Sequence, residues 1–243
     1  MSIFLVIAFL FCIGSIIGWC IELLFRRFFD KKMNPDGKWV NPGYCVGPYL
    51  PIYGCGLVML YLIASFEKLD LIENPYIEKP VLFFIMALCM TAVEFVAGTL
   101  SLMVTSVRLW DYSDEWGNIK GIICPKFSLF WAILGAVYYF LIHPYILDAL
   151  EWLSKNLAFS FFVGLFFGIF IIDVAYSSSV MAKLKKFAEE NDVYVKYEKI
   201  KSQFRAYQDK QKRRLRFFFP FRSERSISDV LTDLKITFER RKK

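Results

Sequence analysis

The chain has 243 residues, 56% of them hydrophobic and 19% aromatic, and a formal net charge of +7. So apolar and aromatic a composition fits a lipid-facing protein. The charge is also uneven: residues 1–182 hold 11 basic and 14 acidic groups, whereas residues 183–243 hold 19 and 9.

Five apolar stretches follow in chain order, at residues 2–21, 44–66, 81–107, 127–147 and 156–182. About 20 apolar residues at roughly 1.5 Å each cross a hydrocarbon core of about 30 Å. The pattern therefore predicts an all-α, polytopic membrane protein: a five-helix transmembrane domain over residues 1–182 and a basic, largely helical cytoplasmic tail over 183–243.

Lys and Arg collect on the cytoplasmic side of a membrane protein, which gives the orientation. Alternating sides place 27 of the 30 basic residues in one compartment and 3 in the other. The N-terminus is thus expected outside and the tail in the cytoplasm, at the cell membrane. No Lys or Arg precedes the first stretch, so it reads as a retained anchor and not as a signal peptide.

Stretch one carries Gly14, Gly18 and Glu22 at steps of four, and stretch five carries Gly164 and Gly168. Small-residue stripes of this kind let helices approach closely. Arg26 stands four residues after Glu22, placed to pair with it near the interface. Asp173 lies about 140° around its helix from Gly168, at 100° per residue, so the glycine face and the acid face should serve different contacts.

Segment 41–54, NPGYCVGPYLPIYG, holds three Pro and three Gly and runs straight into apolar sequence. Pro removes a backbone donor and Gly loosens a helix, so the start of stretch two should be irregular or broken. Irregular backbone survives at membrane depth only where protein or a watery cavity covers it.

Stretch three carries Glu94 near its middle, with Gly98 and Ser101 on the same face, and stretch five carries Asp173, with Ser177 one turn on. Acids inside a span are costly and usually face other helices, water or a functional site. Glu94, Glu22 and Asp173 are accordingly the candidates for a polar intramembrane site. Glu94 and Asp173 fall at similar depths in upright helices. They either share a site or a proton, or each bonds a neighbouring helix and serves assembly alone.

A second unusual loop, residues 108–128, reads RLWDYSDEWGNIKGIICPKFS. Its aromatics suit the membrane interface, and its predicted side is that of residues 41–43. The six cysteines form no CxxC pair and no zinc spacing with the lone His143, which leaves them as reduced packing residues and leaves no metal or cofactor to expect.

In the tail, Phe187, Val195, Tyr197, Ile200, Phe204 and Tyr207 suggest an amphipathic helix, followed by Lys210, Lys212, Arg213, Arg214 and Arg216 beside FFFPF. A basic run just cytoplasmic of a span favours anionic lipid over nucleic acid.

Several of these motifs together resemble the ABC-transporter type IV, or CmpB-like, permease family of bacterial membrane proteins. The resemblance rests on GWCIE at residues 18–22, NPGYCVGPYLPIYG at 41–54, EFVAGTL at 94–100 and the loop at 108–128. It implies loop-motif roles for Asn41, Gly43, Gly47, Pro48, Pro51, Tyr53, Gly54, Arg108, Trp110, Asp111, Tyr112, Asn118, Gly121, Cys124 and Ser128. Pro42 stands where the family often has Arg, and Leu102 where it commonly has a second acid. The resemblance implies a transporter permease. The chain carries no GxxxxGK[ST] phosphate loop, so a pump would need a separate ATPase subunit. Two other readings stand beside it: a membrane-embedded enzyme acting on lipids or lipid-linked substrates, and a non-catalytic scaffold. The first lacks a nucleophile beside a base. A homo-oligomer is also open.

Overall fold

The computed structural model describes residues 2–30, 34, 37–69, 74–191, 193–210 and 239–240, without the side chains of 68, 69, 75, 205–210, 239 and 240. The chain is mostly helical: α1 Ile3–Phe28, α2 Pro51–Ala64, α3 Pro75–Thr105, α4 Pro125–Val137, α5 His143–Lys155, α6 Ser160–Glu190 and α7 Tyr197–Lys210. Among the described residues, four helical runs are long and apolar enough to cross a membrane, namely Ile3–Phe28, Tyr76–Thr105, Pro125–Lys155 and Leu157–Glu190. Pro51–Glu67 is a shorter apolar run. Phe84, Leu88 and Met103 on α3, and Phe161, Ile171 and Ile172 on α6, are all more than 60% exposed, as lipid-facing surfaces require.

The helices overrun the apolar stretches. Arg26 and Arg27 extend the last turn of α1, where cations complement the helix dipole. Beyond it, the Asn34 amide donates to the carbonyls of Arg26 (3.0 Å) and Lys38 (2.8 Å). Residues 148–155, expected in a loop, complete α5 instead, with Lys155 2.6 Å from Glu151 one turn earlier. Pro144 has no N–H to donate, and a π-helical turn over Tyr138–Ile142 carries the run past it.

Two further expectations need correction. The fold is not purely α: β1 Val107–Arg108 pairs in parallel with β2 Val193–Lys196, which pairs antiparallel with β3 Glu239–Arg240. The tail's aromatic pattern is also not one helix. β2 interrupts it, because Val193 and Val195 alternate inward beside Val107 while Tyr194 and Lys196 do not.

The chain divides into two compact units. The first comprises Met1–Gly18, Tyr49–Ala97 and Tyr112–Ile169. In it, α1 and α2 approach through the glycine stripe. A Cβ at Gly14 would lie 2.8 Å from Leu57 Cβ, and one at Gly54 2.7 Å from the Phe11 carbonyl. One at Gly18 would overlap the Tyr53 side chain. Leu10, Leu60, Met86, Met90 and Trp131 belong to the buried cluster around this contact. The Gly164 and Gly168 stripe behaves differently: no described atom comes within 4 Å of a Cβ added there.

The second unit comprises Trp19–Pro48, Gly98–Asp111 and Phe170–Lys243. Its buried cluster gathers Val107, Met181, Leu184, Phe187, Ala188, Val193, Val195, Tyr197, Ile200 and Phe204, with Tyr44 and Leu109 packed against it. Most of these residues lie beyond residue 182, so sequence with a tail-like composition supplies much of this core. The side chain of Lys210, and Lys212, Arg213, Arg214 and Arg216 altogether, lie outside the described residues.

Candidate functional site

Residues 41–50 precede α2 without helical structure, as the Pro and Gly content demands. Helix formation waits for Pro51, whose fixed φ suits the first helical position and whose missing N–H is no loss there. Gly43 turns the chain at φ +73°, a left-handed conformation that side chains disfavour. The backbone polar groups of such a segment still need partners.

Asn41 supplies several of them. It is 1% exposed; its amide donates to the carbonyls of Cys45 (3.2 Å) and Val46 (3.0 Å), and its oxygen accepts from the Trp19 indole at 2.7 Å. One Asn side chain thus closes the turn on itself and ties it to α1.

Asp173 on α6 takes up the donors. Its two carboxylate oxygens accept the Val46 N–H at 3.0 Å and the Gly47 N–H at 2.6 Å, and Oδ1 also accepts the Ser177 hydroxyl at 2.9 Å. Hydrogen bonds to a charged group contribute about 1.5–3 kcal/mol each, more than neutral ones. An acid in an apolar helix is here the anchor of an unwound segment.

Lys201 on α7 takes up acceptors. Its ammonium is 1% exposed and donates to the carbonyls of Asn41, at 2.8 Å, and of Gly43. Glu198 stands 3.8 Å away and accepts from Arg26 at 2.6 Å, while Arg26 also holds Glu22 at 2.9 Å. The expected Glu22–Arg26 pair is therefore the outer end of a charge chain that reaches the loop. Between the two anchors sits Cys45, 3% exposed.

The loop at 108–128 is divided between the units. In the second unit, Asp111 lies 2.6 Å from Lys196 and 3.9 Å from Arg108, whose guanidinium sits 5.9 Å from the Tyr194 ring centre. Leu109 and Tyr44 pack on one cluster, which brings Arg108, Trp110 and Asp111 into the same unit as the 41–48 loop.

In the first unit, Glu94 is 3% exposed and accepts from the Tyr112 hydroxyl at 3.0 Å. The Tyr112 ring stacks on Phe127 at 4.2 Å, and its N–H donates to the Gly121 carbonyl at 2.9 Å. Asn118 shapes the turn: its amide donates to Ser113 and Glu115 carbonyls, and its oxygen accepts the Gly121 N–H at 3.0 Å. Gly117 and Gly121 take left-handed φ values of +65° and +66°. Cys124 is buried just before α4, and its carbonyl accepts the Ser128 N–H at 2.9 Å. Tyr53 lies against Trp131, 5.0 Å between ring centres, beside Gly54. Pro48 is exposed.

Glu94 and Asp173 thus sit in different units, each with polar partners of its own. Sequence reasoning missed Lys201 and Glu198. The signal was present: Tyr197, Ile200 and Phe204 at i, i+3 and i+7 define a buried stripe, and position 201 is its i+4 member.

Comparison with curated proteins found no match, and comparison with solved structures found none. A family model described as "Putative ABC-transporter type IV" matches residues 9–178, which include α1 from residue 9, the 41–54 segment, Glu94, the 108–128 loop and Asp173. The apolar helices fit a multi-pass membrane protein, and the chain belongs to the "Putative ABC-transporter type IV" family.

Proposed function

We propose that this chain is the membrane permease component of a transporter and that a separate ATPase supplies ATP hydrolysis. The observation that carries this reading is the unwound 41–48 segment before an apolar helix, with its N–H groups on Asp173 and its carbonyls on Lys201. Transporters place binding sites at such helix breaks, where backbone groups and charges can meet a polar solute. Glu94, Glu22 and Asp173 are the acids that would serve a polar path. The sequence carries no GxxxxGK[ST] phosphate loop, which supports a separate subunit for ATP hydrolysis.

In this reading the chain crosses the cell membrane five times, with Pro51–Glu67 as the short second crossing. Its 17 residues span roughly 25 Å at 1.5 Å each, close to the hydrocarbon core of about 30 Å. The distribution of basic residues supports an N-terminus outside and a C-terminus in the cytoplasm, where the run from Lys210 to Arg216 would meet anionic lipid.

The test compares the small-molecule content of cells that make the wild-type chain with that of cells making Glu94→Gln. Entry of the most altered compound into sealed vesicles is then measured. Saturable flux that falls at least tenfold in the variant, with folded protein retained, is the expected result. Leak-level flux from both proteins contradicts the reading, and a chemically altered lipid without flux favours the enzyme instead.

A further inference from the structure

The 41–48 loop is gripped by charges of opposite sign from two separate parts of the chain. Asp173, on α6, lies inside the segment the family model matches; Lys201, on α7, lies beyond its end at residue 178. The division of labour is chemical. A carboxylate can only accept, and it takes the N–H groups of Val46 and Gly47; an ammonium can only donate, and it takes the carbonyls of Asn41 and Gly43. Cys45 lies between the two grips.

We propose that the segment from Val193 to Phe204 is a lock on this loop, with Lys201 as the positioning residue that holds it closed. The proposal deepens the transport reading and rests on it in one respect, that the loop is the part that must move.

Three observations support a lock over simple core packing. Lys201 sits on the buried stripe with Tyr197, Ile200 and Phe204, where an apolar side chain would pack at lower cost than an ammonium. Its contacts go to the main chain of an unwound segment 158 and 160 residues away, so they fix the loop and not α7 itself. Glu198, 3.8 Å from Lys201 and bridged to Arg26, aims the ammonium from its own helix. The locking segment is docked through its buried apolar side chains and through a short strand pairing. β2 aligns with β1 at two registered pairs, Val107 with Val195 and Arg108 with Lys196, and the Val195 N–H donates to the Ser106 carbonyl at 3.2 Å. A force on the C-terminal tail would therefore be felt at the loop through Lys201.

Cys45 reports the state of the lock, since it is 3% exposed when the loop is held. Cys124, 2% exposed, reports unfolding of the first unit, and amide exchange at Leu184 and Ala188, both 0% exposed, reports unfolding of the second unit's core. The full chain in lipid nanodiscs is treated with N-ethylmaleimide, and each cysteine is quantified by mass spectrometry. Lys201→Met, which keeps much of the stem and removes the charge, should raise Cys45 alkylation at least tenfold and leave Cys124 and the Leu184 and Ala188 amides unchanged. An unchanged Cys45 rate beside a protected Cys124 overturns the lock. If Cys124 or the Leu184 and Ala188 amides open together with Cys45 in Lys201→Met, Glu198→Gln decides. A two- to fivefold rise at Cys45 alone supports the lock, and no rise overturns it. Labelling uses no flux, so failure of the transport reading leaves this result standing, and failure here leaves that reading untouched.

Discussion

Asp173→Ala should lower the apparent Tm of the purified protein by roughly 10 °C. The variant strands the N–H groups of Val46 and Gly47 and the Ser177 hydroxyl, which all donate to this carboxylate. Breaking a buried charged contact from one side costs about 3–5 kcal/mol, because the partners stay buried without an acceptor. At about 2–4 °C per kcal/mol for a chain of this size, the shift is well outside error. Asp173→Asn keeps one acceptor oxygen and should fall between wild type and Ala. The control is Glu151→Ala. Its ion pair with Lys155 is more than 60% exposed on both sides, and its removal should shift the midpoint by about 1 °C or less. Equal midpoints for Asp173→Ala and wild type would remove the anchor from this account.

The second large effect is expected at a glycine. Gly18→Ala puts a methyl group onto the Cβ and Cγ of Tyr53, atoms near the backbone that cannot swing aside. Overpacking of this kind costs about 1–3 kcal/mol and more where the neighbour is fixed. Tyr53 is fixed, since its ring lies against Trp131. Loss of monodisperse protein or a Tm drop of roughly 5 °C or more is the expected outcome. Gly164→Ala serves as the contrast, because no described atom stands within 4 Å of its added Cβ. That change should be neutral, or stabilise the helix by up to about 1 kcal/mol. A variant at Gly18 as stable as one at Gly164 would mean that α1 and α2 do not approach as described.

The two glycine stripes look alike in sequence, and only one is a contact. Spacing shows that a close approach is feasible; whether a partner helix arrives is decided by the fold. The apolar stretches were legible because transfer from water to lipid depends mainly on composition and length. Helix ends were not, since polar residues such as Asp148 and Glu151 continue a helix once its backbone bonds propagate. The irregular start of α2 was readable from Pro and Gly, and the Glu22–Arg26 pair from its spacing.

Lys201 was obscured by its setting. In a segment so rich in Lys and Arg, any one cation looks solvated, and only the buried stripe around it says otherwise. The β1–β2 pairing joins residues 88 apart, a distance at which a four-residue strand leaves little mark on local pattern. Asp173 was singled out as an intramembrane acid, but its partners are main-chain N–H groups 126 and 127 residues earlier, which no side-chain motif announces.

Hydrogen–deuterium exchange at the amides of Val46 and Gly47, measured on the wild-type chain in lipid nanodiscs, tests the clamped loop most directly. The account predicts protection for minutes or longer at both positions, comparable to the first turns of α2, although neither residue is helical. Exchange at both within seconds, at the rate of an open loop, would contradict it.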